Sequence, residues 1–459
     1  MAPDEAYYWV WSRVLQPGYL DDSPMVALWI RLGTLVAGAT PLGVRLLGPL
    51  AAALGSWLMF RAANDFFPGR PGAGVAAAAL LNATLLFGAG SVLMTPDTPL
   101  LFFWVLGLYA MARLFATGDG RWWWLAGLAG GLALDAKYTG LFFFAAVGVW
   151  LLASRIGRSW LLRPEPWLGL ALAILLFAPV LAWNGFHHWA SFAKQGGRLG
   201  AWQPAAALRF QAELWAGQIG LFTPLVFALA VVGTWRLAAV AWRSGAPAAE
   251  LLTLLTLIPA LVFVEHAFGD RVQGNWPAVL YPSAAIAAAA LTDRPWSRLR
   301  APAVIIGLIV TACVYLQALA APFALPARLD PTLRALGGWR RLAASVAEIG
   351  RADDAGFLAA GDYGEGAMLA FLGRGPIPMV ATGVRWRLFR LPPAGPMIAG
   401  KSGLLLLRGG RGAPDARDWT VLGTPTAVVR TRQGERAETY LLYRVRARPG
   451  NAGAILPGR

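Results

Sequence analysis

Several short stretches of this chain set titratable side chains beside aromatic ones. Asp4 and Glu5 open Asp4-Glu5-Ala6-Tyr7-Tyr8-Trp9, and Asp97 stands in Met94-Thr95-Pro96-Asp97-Thr98-Pro99. Lys137 and Tyr138 follow Asp135 in Leu134-Asp135-Ala136-Lys137-Tyr138. His187 and His188 lie in Trp183-Asn184-Gly185-Phe186-His187-His188-Trp189, and Asp270–Pro277 supplies Arg271 and Asn275. A carboxylate pair such as Asp4-Glu5 can take a proton or cap a helix, and both readings stand. Asp97, between two apolar runs, is costly to bury and marks a functional site; it also suits the cap of a helix starting near Thr98-Pro99. Lysine is rare, at positions 137, 194 and 401 only. Lys137 offers either a point charge for phosphate or a snorkelling anchor, with Asp135 as a local partner. Adjacent histidines with no further local ligand point only weakly to a metal. Taken together, carboxylates, cations and aromatics suit the handling of an anionic, amphipathic lipid.

The elements that position these residues are membrane helices. The 459 residues are 57% hydrophobic and 14% charged, against about 25% charged in a soluble domain. A crossing helix needs about 20 apolar residues. Ten stretches are candidate spans: 45–63, 73–94, 98–115, 122–135, 139–153, 167–183, 213–235, 251–268, 277–292 and 302–321. The fourth and fifth are short and could form one helix. Arginines cluster at 61 and 70, at 113 and 121, at 155, 158 and 163, at 236 and 243, and at 294, 298 and 300. Ten spans put all five clusters on one side, which the positive-inside rule makes cytoplasmic; merging 122–153 would scatter them. The polar segments then face outward, the first of them directly at Met1. With no signal peptide to carry it there, a further span is expected ahead of it. The net charge of +16 is spread between apolar runs, which favours membrane loops over nucleic-acid binding. The single cysteine, Cys313, allows no intrachain disulfide.

Composition changes near Pro322–Pro326. Residues 1–324 form the expected membrane domain, with catalytic loops outside. Residues 325–459 carry 20 Lys+Arg against 10 Asp+Glu and form an expected soluble, mixed α/β domain, long enough for its own core. Strands are expected at 356–360, 403–407 and 439–445, and helices at 337–349 and 364–372. The surplus arginines of this domain serve solubility or face anionic lipid head groups.

Six segments, in order, resemble the polytopic, lipid-linked-sugar glycosyltransferases of the C-type fold, in the branch of protein mannosyltransferases and the lipid A aminoarabinose transferase. They are Asp4–Trp9, Gly18–Met25, Thr95–Leu100, Lys137–Gly140, Trp183-Asn184 with His188–Phe192, and Asn275–Pro277. The resemblance implies Asp4 as catalytic base, with Glu5 beside it, and Asp97 as a second acidic site. It implies that Lys137 contacts the donor phosphate. With Tyr138, His188, Arg271 and Asn275 it makes up the expected substrate-binding set. It associates a divalent metal with Asp21, although the chain reads Asp21-Asp22-Ser23-Pro24 where relatives have a basic residue or His and two prolines.

The function implied is transfer of a sugar, with inversion, from a polyprenyl-phosphate donor to a lipid, glycan or protein acceptor. The expected place is the outer face of the bacterial inner membrane, among membrane lipids, in modification of lipopolysaccharide or another cell-envelope component. No general acid is needed, since a phosphate leaves readily once its charge is neutralised. The rival class is a transporter or lipid flippase. Such proteins show internal repeats and helices broken at mid-membrane, whereas here no repeat is evident and the polar residues lie at one face.

Overall fold

The protein is mostly helical, and the computed structural model describes residues 1–196, 202–373, 375–449 and 453–459. The stretch 184–212, between the expected spans 167–183 and 213–235, therefore lies partly outside the described residues. Contacts divide the chain into two units. One comprises Leu20–Trp29 and Arg45–Ala312; the other comprises Met1–Tyr19, Ile30–Val44 and Cys313–Arg459. The expected boundary after residue 324 falls inside the second unit, which also takes in the start of the chain.

Among the described residues, six helices are long and apolar enough to cross a membrane: Pro41–Phe66, Asp97–Thr117, Pro164–Phe186, Pro224–Ser244, Pro247–His266 and Trp296–Leu319. The count of ten is not reached by this criterion. The expected span 73–94 is broken into Ala73–Asn82 and Leu85–Gly90. Thr84 restarts the chain there, its side chain accepting the Phe87 N–H at 3.2 Å. The stretch 122–153 is two helices, Trp122–Ala136 and Leu141–Ala153, and the second bends by 102° into Arg155–Leu161. The expected span 213–235 is instead cut at Thr223, with Pro204–Phe222 before it and Pro224–Ser244 after it. Pro224 has no N–H to continue the first helix but suits the first turn of the second. The expected span 277–292 shortens to a 3-10 turn at Trp276–Val279 and a helix at Leu280–Ala289.

Within the first unit the arginine clusters gather at one end of the bundle. Arg70 donates to the Ala290 carbonyl, and Arg236 pairs with Asp293 at 3.1 Å. Arg113 pairs with Asp65 at 3.3 Å and lies over the Trp122 ring at 5.3 Å. Trp123 packs on Trp160, between Arg155 and Arg163. Asp97 begins the helix at the opposite end, and that helix runs toward the arginines, reaching them at Arg113.

The second unit is built on a mixed seven-stranded sheet. Its strands are β1 (Leu358–Ala360), β2 (Met379–Ala381), β3 (Ser402–Arg408), β4 (Trp419–Val421), β5 (Thr426–Arg432), β6 (Glu435–Ala447) and β7 (Ala454–Ile455). The order is β4-β6-β3-β1-β2-β7, with β5 also on β6. β1 runs parallel to β2 and β3, and the remaining pairs are antiparallel. Phe357, Val380, Leu405, Trp419 and Val445 form its core. The expected strands correspond to β1, β3 and β6, and the expected helices to Trp339–Ala352 and Tyr363–Leu372. Against the last of these packs the first helix of the chain, Pro3–Arg13. Trp9 meets Phe371 edge-on at 5.0 Å, and Tyr7 meets Tyr363 at 4.7 Å.

Candidate functional site

Asp97 is the first residue of Asp97–Thr117, where the helix dipole favours a negative charge. Its two oxygens are used differently. Oδ1 accepts from Lys137 Nζ at 2.7 Å, and Oδ2 accepts from Asn275 Nδ2 at 2.5 Å. The Lys137 and Asp97 side chains are only 12% and 11% exposed, so water screens this ion pair little. Three segments far apart in sequence thus meet in one polar constellation.

Local structure explains how Lys137 reaches it. The helix Trp122–Ala136 stops at Lys137, which is extended at φ −162°, and a 3-10 turn Tyr138–Gly140 follows. Gly140 allows the tight reversal, because a Cβ there would lie 2.6 Å from the Ala133 carbonyl carbon. Tyr138 points its hydroxyl to Ser191 Oγ at 2.8 Å, and its ring lies edge-on to Phe192 at 5.2 Å. Asn275 opens the turn Trp276–Val279, where Pro277 begins with no N–H to satisfy.

Asp22 is a member of this neighbourhood that the sequence reading did not single out. Its carboxyl is buried and accepts the Ser23 N–H at 3.0 Å. Burial pushes it up to about 7, against the pull of Lys137, while Asp97 and Asp21 add to the rise. The only advance signal was the doubled acid in Asp21-Asp22-Ser23-Pro24. Asp21 forms an ion pair with Lys194, and Gln195 Nε2 donates to its carbonyl at 2.7 Å.

A metal at Asp21 does not fit these residues. Its carboxylate already faces an ammonium, and among the described residues no three His, Cys, Asp or Glu side chains stand together as a ligand set.

Two further residues expected to bind substrate have other surroundings. Arg271 Nε pairs with Glu213 at 2.9 Å. His188 is exposed at φ +53°, with Trp189 at φ +58° beside it. His187 closes the preceding helix instead, its ring stacked on Trp183 at 4.2 Å and its Nδ1 2.7 Å from the Trp183 carbonyl.

Asp4 and Glu5 belong to the second unit. Glu5 is buried and used as a helix cap, its Oε2 accepting the Ala2 N–H at 2.7 Å. Asp4 is exposed, and its Oδ1 accepts the Tyr363 hydroxyl at 2.8 Å. Burial and then the Asp4 charge hold the Tyr363 phenol well above its ordinary range, so it stays a donor. The Arg385 guanidinium lies over the Tyr363 ring at 4.1 Å. Tyr363 and Arg385 were not legible beforehand, because nothing in the sequence links positions 4 and 363.

The family model for dolichyl-phosphate-mannose-protein mannosyltransferases matches residues 21–183. The lipid A galacturonosyltransferase RgtD of Rhizobium johnstonii is 28% identical over 304 residues, 64% of this chain and 61% of that protein. This chain thus matches less than two thirds of that relative's length. Two crystal structures of ArnT from Cupriavidus metallidurans share the fold. The apo form gives a TM-score of 0.61 at 16% identity over 96% of this chain and 93% of its own. The form bound to undecaprenyl phosphate gives 0.59 at 16% identity, over 96% and 94%. The family model thus covers about a third of the chain, and the ArnT structures show a shared fold.

Proposed function

We propose that this protein is a membrane glycosyltransferase that moves a sugar from a polyprenyl-phosphate donor to a lipid acceptor of the lipid A class. Its place is the bacterial inner membrane, with the carboxylate-bearing end on the extracytoplasmic face. The observation that carries this reading is the joining of Asp97, Lys137 and Asn275 at the end of the bundle away from the arginine clusters. RgtD is a lipid A transferase by name, and ArnT has been captured with undecaprenyl phosphate; both support the donor and acceptor classes. Ten crossings complete the proposal. Four shorter or broken segments, 73–90, 122–136, 138–153 and 276–289, are added to the six long helices. All five arginine clusters then lie in the cytoplasm.

The chemistry needs little. An acceptor hydroxyl oxygen attacks the anomeric carbon as the bond from that carbon to the phosphate oxygen breaks, so the centre inverts. The electron pair stays with the prenyl phosphate, whose growing charge Lys137 meets as a point cation. Asp97 fixes that cation through a short charge-assisted bond and is itself steadied by Asn275. The hydroxyl proton passes to a carboxylate, the role Asp4 takes by resemblance. Tyr363 holds Asp4 in one orientation. Deleting the gene and profiling envelope lipids by mass spectrometry tests the reading. Loss of one sugar-modified lipid is expected; an unchanged glycolipid profile with altered distribution of an unmodified lipid would favour a flippase.

A further inference from the structure

The second unit contains a cavity of about 340 Å³ that takes no part in the proposed transfer. It is lined by Trp339, Arg340 and Arg341 at the start of Trp339–Ala352, by Phe371, and by Arg432 and Gln433 at the end of β5. Gly338 brings the two elements together. It lies at φ +76°, and a Cβ there would press on the backbone of Thr431. Arg340 and Arg341 are exposed and sit at the positive end of the helix dipole, with no acidic residue in the first turn. Like charge there is unfavourable unless an anion joins it. Arg432 Nη2 donates to Asp330 at 2.6 Å, while its Nη1 is buried with no acceptor among the described residues.

The position of the cavity names its ligand. Gln433 Nε2 donates at 2.9 Å to the carbonyl of Ala320, which directly follows the long apolar helix Trp296–Leu319. Asp330, the partner of Arg432, also accepts from Gln317 in that helix at 2.7 Å. Pro41, the first residue of another long apolar helix, lines the cavity as well. Leu319 and Phe323 nearby in sequence are 87% and 64% exposed. A basic, tryptophan-edged pocket tied to the ends of two long apolar helices has the composition that suits a lipid head group. We infer that this cavity binds the phosphate-bearing head group of an anionic membrane lipid. Two sources share that chemistry: a bilayer phospholipid and a phosphorylated glycolipid.

The test measures lipid retention on the full-length protein in detergent by native mass spectrometry. Phosphatidylglycerol, lipid A and phosphatidylcholine are added separately. The expected result is retention of an anionic lipid over phosphatidylcholine that weakens as salt rises. Replacing both arginines, Arg340→Ala with Arg341→Ala, should lower that retention by about 30-fold, from about fivefold per basic residue near an anionic lipid. Arg340→Lys with Arg341→Lys should keep most of it. Retention of phosphatidylglycerol assigns the pocket to the bilayer, and retention of lipid A alone assigns it to a glycolipid. Retention independent of salt, or unchanged in a double-alanine protein that melts like the wild type, would overturn the inference.

Discussion

Replacing Lys137 with Met removes the ammonium and keeps most of the side chain's bulk. Asp97 is then left at 8% exposure, having lost its 2.7 Å partner. Removing one member of a buried ion pair costs about 3–5 kcal/mol. Asp97 keeps its bond from Asn275 and its place at a helix start, so the lower end, about 3 kcal/mol, applies. The variant should therefore show a clearly lower apparent melting temperature in detergent. Adding Asp97→Asn removes the uncompensated charge and should recover most of that loss, since the two residues are in direct contact and couple. Sugar transfer should not recover with it, because the cation that meets the phosphate is still missing. Thermal melts and turnover on the same purified proteins separate the two effects. A wild-type melt for Lys137→Met, or transfer regained along with stability in the double variant, would refute these roles of Lys137 and Asp97.

Asp4→Asn should lower transfer by roughly 100-fold or more, as loss of a general base does, and leave melting unchanged because Asp4 is exposed; normal turnover would make Asp4 a cap only. Tyr363→Phe should lower turnover less than Asp4→Asn, since it frees Asp4 without removing it; an equal loss would give Tyr363 a part in the chemistry. The Asp22 pKa of about 7 exceeds its unfolded value of about 4, so between those limits the folded state holds the extra proton and stability falls as pH rises. Asp22→Asn should flatten melting temperature against pH across that window, and an undiminished slope would show that Asp22 is not the group responsible. Reporter tags after Arg70 and Arg163 should read as cytoplasmic and one after Gly410 as external; a cytoplasmic tag at Gly410 would overturn the orientation.

Long elements were legible where a single period or a charge bias ran through them. The helices around Asp97 and Pro164 are continuous apolar runs, and the turn at Lys137 followed from the arginines on either side of it. The break at Thr223 was missed because apolar residues continue through it, and only Pro224 marked the stop. In the sheet, β1, β3 and β6 contain apolar runs, whereas β5 carries Arg430 and Arg432 and reads as loop. The site divided in the same way. Asp97, Lys137 and Asn275 could each be named from local sequence, but their contact depends on three turns meeting in space. Asp22 was hidden because its burial comes from distant neighbours. The pairing of Asp4 with Tyr363 spans almost the whole chain, and no local pattern encodes it.

Transfer itself is the most direct test, with the purified protein, a polyprenyl-phosphate sugar and lipid A. The product is read as a mass increase of one sugar on the acceptor. Wild-type protein should give that increase and release one polyprenyl phosphate per sugar moved, and Lys137→Met should lose it. Movement of an unmodified lipid across vesicles containing the protein, with no mass change in any acceptor, would contradict this function.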